Sequence, residues 1–272
     1  MIRLPGSDLH THTSFCDGKR EAEATVLEAI SRGYHTIGIS GHSYTAFDTR
    51  YCMTDEAGYR AELERLKALY ADRISLQIGI EMDALAGERR PWVDYIIGSV
   101  HYFETPNGLF DVDNSPEVMA RALSVGFGGN QHAMIDAYFA SVVDVATRLR
   151  PEIVGHFDLV TKFEEIGSPL DTHSEYYYGA AIDALRATIK VAPRLEMNSG
   201  AISRGYRSDA YPSDKLISAA LELGARFILT SDAHAPENIG YAFTESAERL
   251  VGLGCKTVDV RRGDAFEEFS LV

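Results

Sequence analysis

Asp8-Leu9-His10-Thr11-His12-Thr13 closes the first short apolar run of the chain with two histidines two residues apart. Side chains at i and i+2 of a strand share a face, so His10 and His12 can grip one site from one side. The pattern returns far along the chain, where Phe227-Ile228-Leu229-Thr230-Ser231-Asp232-Ala233-His234 ends in Asp232 and His234. Between the two, strand-like runs end in His42 (Thr36–His42), Glu81 (Ile74–Glu81), His101 (Tyr95–His101) and His156 (Ile153–His156). Six strand-like segments thus each end in a metal ligand, which randomly scattered histidines would not do. The pattern predicts one metal centre at one mouth of a fold built from those strands.

Working outward, the first run is Ser7–His10, and two more strands are expected at Arg194–Asn198 and Arg226–Ser231. Helical periodicity falls between most of these runs. It covers Glu21–Arg32, Thr54–Asp72, Ser115–Val125, Met134–Arg148, Ser174–Val191, Ser213–Leu223 and Thr244–Leu253, with apolar spacings such as Leu63, Leu66 and Leu69. Strands alternating with helices imply parallel strands joined by crossovers, an α/β fold. Seven strands predict a closed or nearly closed barrel with its site at the C-terminal strand ends. An open doubly wound sheet is disfavoured, because ligands from the first strand and the last must meet. Phe103–Asn114 reads as a loop over the mouth, Phe127–Gln131 as a glycine-rich break, and Ser199–Pro212 as a long polar loop. No linker divides the chain, so residues 1–272 are expected to form a single barrel domain.

The chain has 40 acidic and 26 basic residues, a formal charge of -14. That argues against a nucleic-acid or anionic-membrane partner. Cys16, Cys52 and Cys255 have unrelated spacings that suggest neither a disulfide framework nor a zinc ribbon. Met1–Ser7 runs straight into the first motif and leaves no room for a signal peptide, and no apolar run has the length of a membrane span. A cytoplasmic location is the expectation.

Imidazoles and carboxylates are a ligand set for zinc, manganese or iron. Asp17, just beyond His12, brings the candidates to nine: His10, His12, Asp17, His42, Glu81, His101, His156, Asp232 and His234. Nine exceed one ion's needs, and Glu81 or Asp232 could bridge two ions and so serve catalysis directly. Paired ions roughly 3.5–4 Å apart hold a water that becomes hydroxide near neutral pH. Three divalent ions against three carboxylates leave a positive surplus suited to a hydroxide and a phosphate dianion, so phosphate ester hydrolysis is the expected chemistry. Lys162, Arg204 and Arg207 follow the ligand motifs and are candidates for the phosphate. Asn198 ends the sixth strand and reads equally as a substrate contact or a loop cap. His35, His132 and His173 read as ordinary histidines, Cys16 as a buried spectator, and Trp92 and Tyr176–Tyr178 as packing.

At these residues the chain resembles the PHP (polymerase and histidinol phosphatase) superfamily. His-Thr-His at 10–12, Gly-His-Ser at 41–43, Gly-Ile-Glu at 79–81 with Gly-Ser-Val-His at 98–101, Gly-His-Phe-Asp at 155–158 and Ser-Asp-Ala-His at 231–234 carry the likeness. It extends from Asp8 to about Gly240. Asp17, where many members carry a histidine, and the segment Glu196–Ser213 bring it nearest to the stand-alone histidinol-phosphate phosphatases. The resemblance implies a distorted (β/α)7 barrel and three divalent metal ions. One ion would be held by His10, His12, Glu81 and Asp232, one by Glu81, His101 and His156, and one by Asp17, His42 and His234. It also implies a small-molecule phosphate ester, L-histidinol phosphate, as substrate. Members often carry a basic residue where this chain has Thr161, which leaves that contact to Lys162 or to an arginine elsewhere. A phosphoesterase acting on nucleotides or short oligonucleotides would want a basic, aromatic groove that the acidic composition does not offer. An amidohydrolase would want a bridging lysine where the middle strands end in His42, Glu81 and His101. A non-catalytic metal-binding accessory protein would want a closed structural site.

Overall fold

The computed structural model describes residues 1–272 as seven parallel strands wrapped by helices. The strands are β1 (Ser7–Asp8), β2 (Thr36–Ile39), β3 (Ser75–Asp83), β4 (Tyr95–Ser99), β5 (Ile153–Val154), β6 (Arg194–Asn198) and β7 (Arg226–Thr230), adjacent in chain order. Sequential parallel pairing curls the sheet until β7 meets β1. There, one parallel bridge joins Thr11 to Ala233, with His12 N donating to Ala233 O at 2.8 Å. Below that bridge the two strands stand apart, and the Asp8 carboxylate fills the gap. It accepts from the amides of Ser231 (3.2 Å) and Gly240 (3.1 Å) and from the Ser231 hydroxyl. The result is the nearly closed, distorted (β/α)7 barrel, with a side chain standing in for part of the missing ladder.

Alternation along the strands divides the core in two. Outward residues such as Ile37, Ile78, Ile96, Leu195 and Leu229 join the helices in one large buried cluster. Inward residues Leu9, Tyr95, Ile97, Ile153 and Ile228 form a small second cluster inside the barrel. Tyr95 lies across that interior with its hydroxyl donating to Leu9 O. Gly38 and Gly79 make room for it, since a Cβ at either would fall 2.2–2.3 Å from the Tyr95 side chain. The outer helices bury one stripe each, as in Gln131–Leu149, where Met134, Ile135, Tyr138, Phe139, Val142, Val145, Ala146 and Leu149 face inward. No helix is long and apolar enough to cross a membrane.

The structure corrects several boundaries. β1, β2, β4 and β5 stop two or three residues before their ligands, so His10, His42, His101 and His156 sit on the turns just beyond the ladder. The backbone leaves the sheet there, which frees it to aim side chains at the mouth. Phe103–Asn114 is largely a β-hairpin, Tyr102–Thr105 against Gly108–Asp111, rather than an irregular loop. The helix expected over Ser115–Val125 is α-helical only at Pro116–Arg121 and loosens into a π-turn over Ala122–Gly126. Gly200–Ser203 forms a short helix inside the expected polar loop. A second hairpin, Thr257–Arg262 against Ala265–Ser270, covers the N-terminal end of the barrel. There Asp259 pairs with Arg194 (2.5 Å) and Arg226 (2.6 Å), and Phe266 packs on the interior cluster.

Candidate metal centre

Glu81 stands at the middle of the C-terminal mouth, 1% exposed. Its Oε2 lies 3.1 Å from His10 Nε2, 3.5 Å from His12 Nε2 and 3.1 Å from His42 Nδ1. Its Oε1 lies 3.4 Å from His101 Nε2 and 3.0 Å from His156 Nε2. Asp232 Oδ1 approaches His12 Nε2 (3.2 Å) and His234 Nδ1 (3.5 Å). Asp17 Oδ2 is 3.2 Å from His234 Nε2, and Asp17 Oδ1 is 3.7 Å from His42 Nε2. The nine side chains singled out in the sequence therefore meet in one place. Donor atoms of His10, His12 and Asp232, of His42, Glu81 and His101, and of His12, Asp17, His42 and His234 lie close enough in each group to share an ion.

Several observations test whether metal ions fit. His10 Nε2, His12 Nε2 and Glu81 Oε2 are buried, converge on one another and have no hydrogen-bond partner. Atoms left so would cost stability unless something else satisfies them. Burial, with His234 and His42 nearby, pulls His12 down to about 3 and keeps its ring neutral, the form that ligates. Burial also opposes charge on Glu81 and Asp232. The surrounding histidines and, for Asp232, Arg204 nonetheless hold both carboxyls well below their usual range. Burial likewise opposes the charged ring of His10, yet Glu196, Glu81 and Asp232 draw its affinity for a proton upward. The cluster is a field that attracts cations, and divalent metal ions suit it. Asp232 is itself held at φ 48°, a left-handed conformation costly for a non-glycine residue.

Above the cluster opens a cleft of about 370 Å³. Arg50, Lys162 and Arg204 line it together with Asp48, Asp111 and Asp113, beside Tyr51, Tyr102 and Tyr206, and Arg50 is paired with Asp48. Lys162 Nζ donates to Asp113 O (2.7 Å) and Oδ2 (3.1 Å). Arg204 Nη2 donates to Asp232 Oδ2 at 2.9 Å, and Nη1 to Asp232 O at 3.0 Å. Two expected substrate contacts are not among the lining residues. Arg207 turns under the rim and donates to Thr161 O (2.9 Å) and Oγ1 (2.7 Å). Asn198 is fully buried, and its Oδ1 caps the short helix through Gly200 N at 2.9 Å. Cys16 donates to Thr13 O, and burial pushes its thiol up to about 12, which makes it a poor ligand. His132 stacks on exposed Tyr176, His173 stays at the surface, and His35 contacts Pro5 O, all away from the cleft. The sequence reading missed Asp48, Tyr51 and Tyr102. They come from the turn after His42 and from the hairpin after His101, and their only signal was closeness to those ligands.

Residues 8–200 match the PHP domain profile. The chain is 30% identical over 279 residues to a Deinococcus radiodurans protein named "Probable histidinol-phosphatase", covering 93% of this chain and 96% of that one. It is 26% identical over 267 residues to the histidinol-phosphatase of Bacillus subtilis, covering 89% and 98%. The crystal structure of a Lactococcus lactis histidinol phosphate phosphatase, complexed with zinc, L-histidinol and phosphate, matches with a TM-score of 0.72 over 97% of this chain and 100% of that one. At 19% identity, that likeness is one of fold.

Proposed function

Because the chain belongs to the PHP domain family, we propose that it is a metal-dependent phosphomonoesterase that hydrolyses L-histidinol phosphate to L-histidinol and phosphate, a step of histidine biosynthesis. The observation that carries this reading is the gathering of nine metal-ligand side chains at one mouth, five histidines of them directly around Glu81, beneath a cleft lined by both basic and acidic residues. The ions they would hold, three of them and zinc, manganese or iron by donor type, would supply Lewis acidity and an activated water. His10, His12, Glu81 and Asp232 would hold one, Glu81, His101 and His156 a second, and Asp17, His42 and His234 a third.

The remaining roles belong to the chain itself. Glu81 and Asp232 concentrate negative charge at the base of the cleft and fix the spacing of the groups around them. Arg204 and Lys162 would face the phosphate, each already oriented by an acidic partner. Arg207 and Asn198 support the loops beneath them instead of touching substrate. Asp48 is paired with Arg50 and Asp113 with Lys162, so Asp111 is the acidic residue of that wall that would face the leaving alcohol, and a cationic histidinol suits it. A nucleotide would bring further negative charge to the same wall, which disfavours the phosphoesterase alternative. The three free thiols support a reducing compartment, and we place the enzyme in the cytoplasm.

The test is phosphate release from L-histidinol phosphate, glycerol phosphate and AMP by the metal-loaded protein. Charge-assisted contacts to the leaving group lead us to expect kcat/KM at least about 10-fold higher for histidinol phosphate than for either competitor. Equal turnover of AMP would overturn the substrate assignment, and no release from any ester would overturn the activity.

A further inference from the structure

Glu196 has a place in this centre that the ligand pattern does not explain. It lies on β6 with its side chain inside the barrel, fully buried. Its only ion-pair partner is His10, whose Nδ1 lies 2.6 Å from Oε1. Oε2 accepts the backbone N–H of His156 at 2.9 Å and Asn198 Nδ2 at 3.0 Å. A carboxylate buried without lysine or arginine is costly, and it persists where a specific set of donors is built around it.

The donor set has consequences for both histidines. An ionised carboxylate only accepts hydrogen bonds, so the proton of a neutral His10 ring must sit on Nδ1. That leaves a lone pair on Nε2, the atom that lies 3.1 Å from Glu81 Oε2 and 3.7 Å from Asp232 Oδ1 without a hydrogen bond. Through the His156 amide, the same carboxylate fixes the backbone from which His156 Nε2 reaches Glu81 Oε1 at 3.0 Å. Asp83 stands in a comparable relation to His101, accepting its amide at 2.9 Å and lying 3.3 Å from its Nδ1. The contact at Glu196 is the shorter of the two, and it links two ligand-bearing turns where Asp83 reaches one.

We propose that Glu196 is a positioning residue of the metal centre. It holds His10 in the tautomer that presents Nε2 and ties the turns after β1 and β5 into one register. This rests on the reading of the cluster as metal-holding. Glu196→Gln is the informative change because it keeps the shape. If the amide oxygen faces His10, its NH2 meets two donors, the His156 amide and Asn198 Nδ2. If the NH2 faces His10, it donates to Nδ1 and sends the ring proton to Nε2, into the ligand position.

The experiment titrates zinc against a competing chelator for wild-type and E196Q protein, with bound zinc counted by elemental analysis and metal-free Tm recorded. The expected result is a 10- to 100-fold weaker zinc affinity in E196Q. Metal-free Tm should move far less than zinc-loaded Tm, a split that a purely structural role would not produce. Imidazole 15N NMR of zinc-loaded wild-type protein should show His10 protonated at Nδ1, a reading available even if E196Q fails to fold. Equal zinc affinity in the two proteins, or a His10 proton at Nε2, would overturn the proposal. If the wild-type protein binds no zinc, manganese or iron, the metal reading itself falls, and that failure is visible before the variant is measured.

Discussion

Arg204 is held by the group it helps to define. Its guanidinium spans the side-chain and main-chain oxygens of Asp232 and lies 3.0 Å from His234 Nδ1, yet it still lines the cleft. Arg204→Ala would remove a phosphate contact and also free Asp232, whereas Lys162→Ala would leave the cluster untouched and release only Asp113. A charge-assisted contact contributes roughly 1.5–3 kcal/mol. The expected loss in kcat/KM is therefore about 10- to 150-fold for Arg204→Ala, and smaller for Lys162→Ala. Inorganic phosphate should also inhibit the Arg204 variant less strongly. Unchanged kcat/KM and unchanged phosphate inhibition would leave the phosphate to Lys162 and the metal ions. At this scale, legibility followed chemistry. Histidines and carboxylates at the ends of apolar runs have few other reasons to be there, so the nine ligand candidates could be read from the sequence. Arg207 could not be told from a rim arginine, because its turn toward Thr161 depends on a loop path the sequence does not encode locally. Glu196 was hidden in Arg194-Leu195-Glu196-Met197-Asn198, where alternation shows three polar residues on one face but not that the face is the barrel interior.

The elements themselves were legible where periodicity is long. All seven strands and the large helices fall where the apolar patterns put them, with shifts of a few residues at their ends. The two hairpins were not legible for different reasons. Tyr102–Thr105 and Gly108–Asp111 are short and half-exposed, and Pro106, Asn107 and Gly108 outweigh them as loop signals. Thr257–Arg262 and Ala265–Ser270 carry no ligand motif and are rich in charged residues, which masks their strand pattern, though they close the barrel at the end away from the site. Asp259 is the centre of that closure, 2% exposed and paired with Arg194 and Arg226, while Arg261 Nε donates to Gln77 Oε1 at 2.6 Å. Removing Asp259 leaves the largely buried Arg194 without its carboxylate, while exposed Arg226 keeps water and Glu268, so the cost should lie at or below the roughly 3 kcal/mol of a fully buried pair. Asp259→Ala should accordingly lower the unfolding free energy of the metal-loaded protein, measured by urea denaturation, by that order. The kcat/KM of the folded protein should stay within a few-fold of wild type, since the hairpin caps the opposite end. A large loss of kcat/KM with unchanged stability would show that the two ends are coupled in a way the packing does not suggest.

For the whole molecule, the centre sets how stability depends on metal and pH together. Histidines and carboxylates from the first strand to the last face one another across the mouth, so ions bound there would hold the barrel closed. At free metal about 1,000-fold above Kd, binding adds about 4 kcal/mol, on the order of 10 °C in Tm for a chain of this size. Chelation should remove that increment and abolish phosphate release, and zinc, manganese or iron should restore both. The metal-free protein should then show a pH dependence the loaded protein lacks. Against the opposing effect of burial, Glu81 with Glu196, Asp17 or Asp83 raises the folded-state values of His10, His42 and His101 above the usual 6.5. A raised histidine contributes stability that is full below its unfolded value and is lost as pH climbs through its folded value. His12, held down near 3, acts oppositely, but its cost appears only as pH drops below about 6.5. From pH 6.5 to 9 the three raised histidines decide the sign, so metal-free Tm should fall steadily across that range. Metal-loaded Tm should stay nearly flat, because the ions replace the protons. Thermal melts at four or five pH values, with and without chelator, measure both curves. A metal-free Tm that rises between pH 6.5 and 9 would mean the cluster does not gather positive charge as its geometry requires.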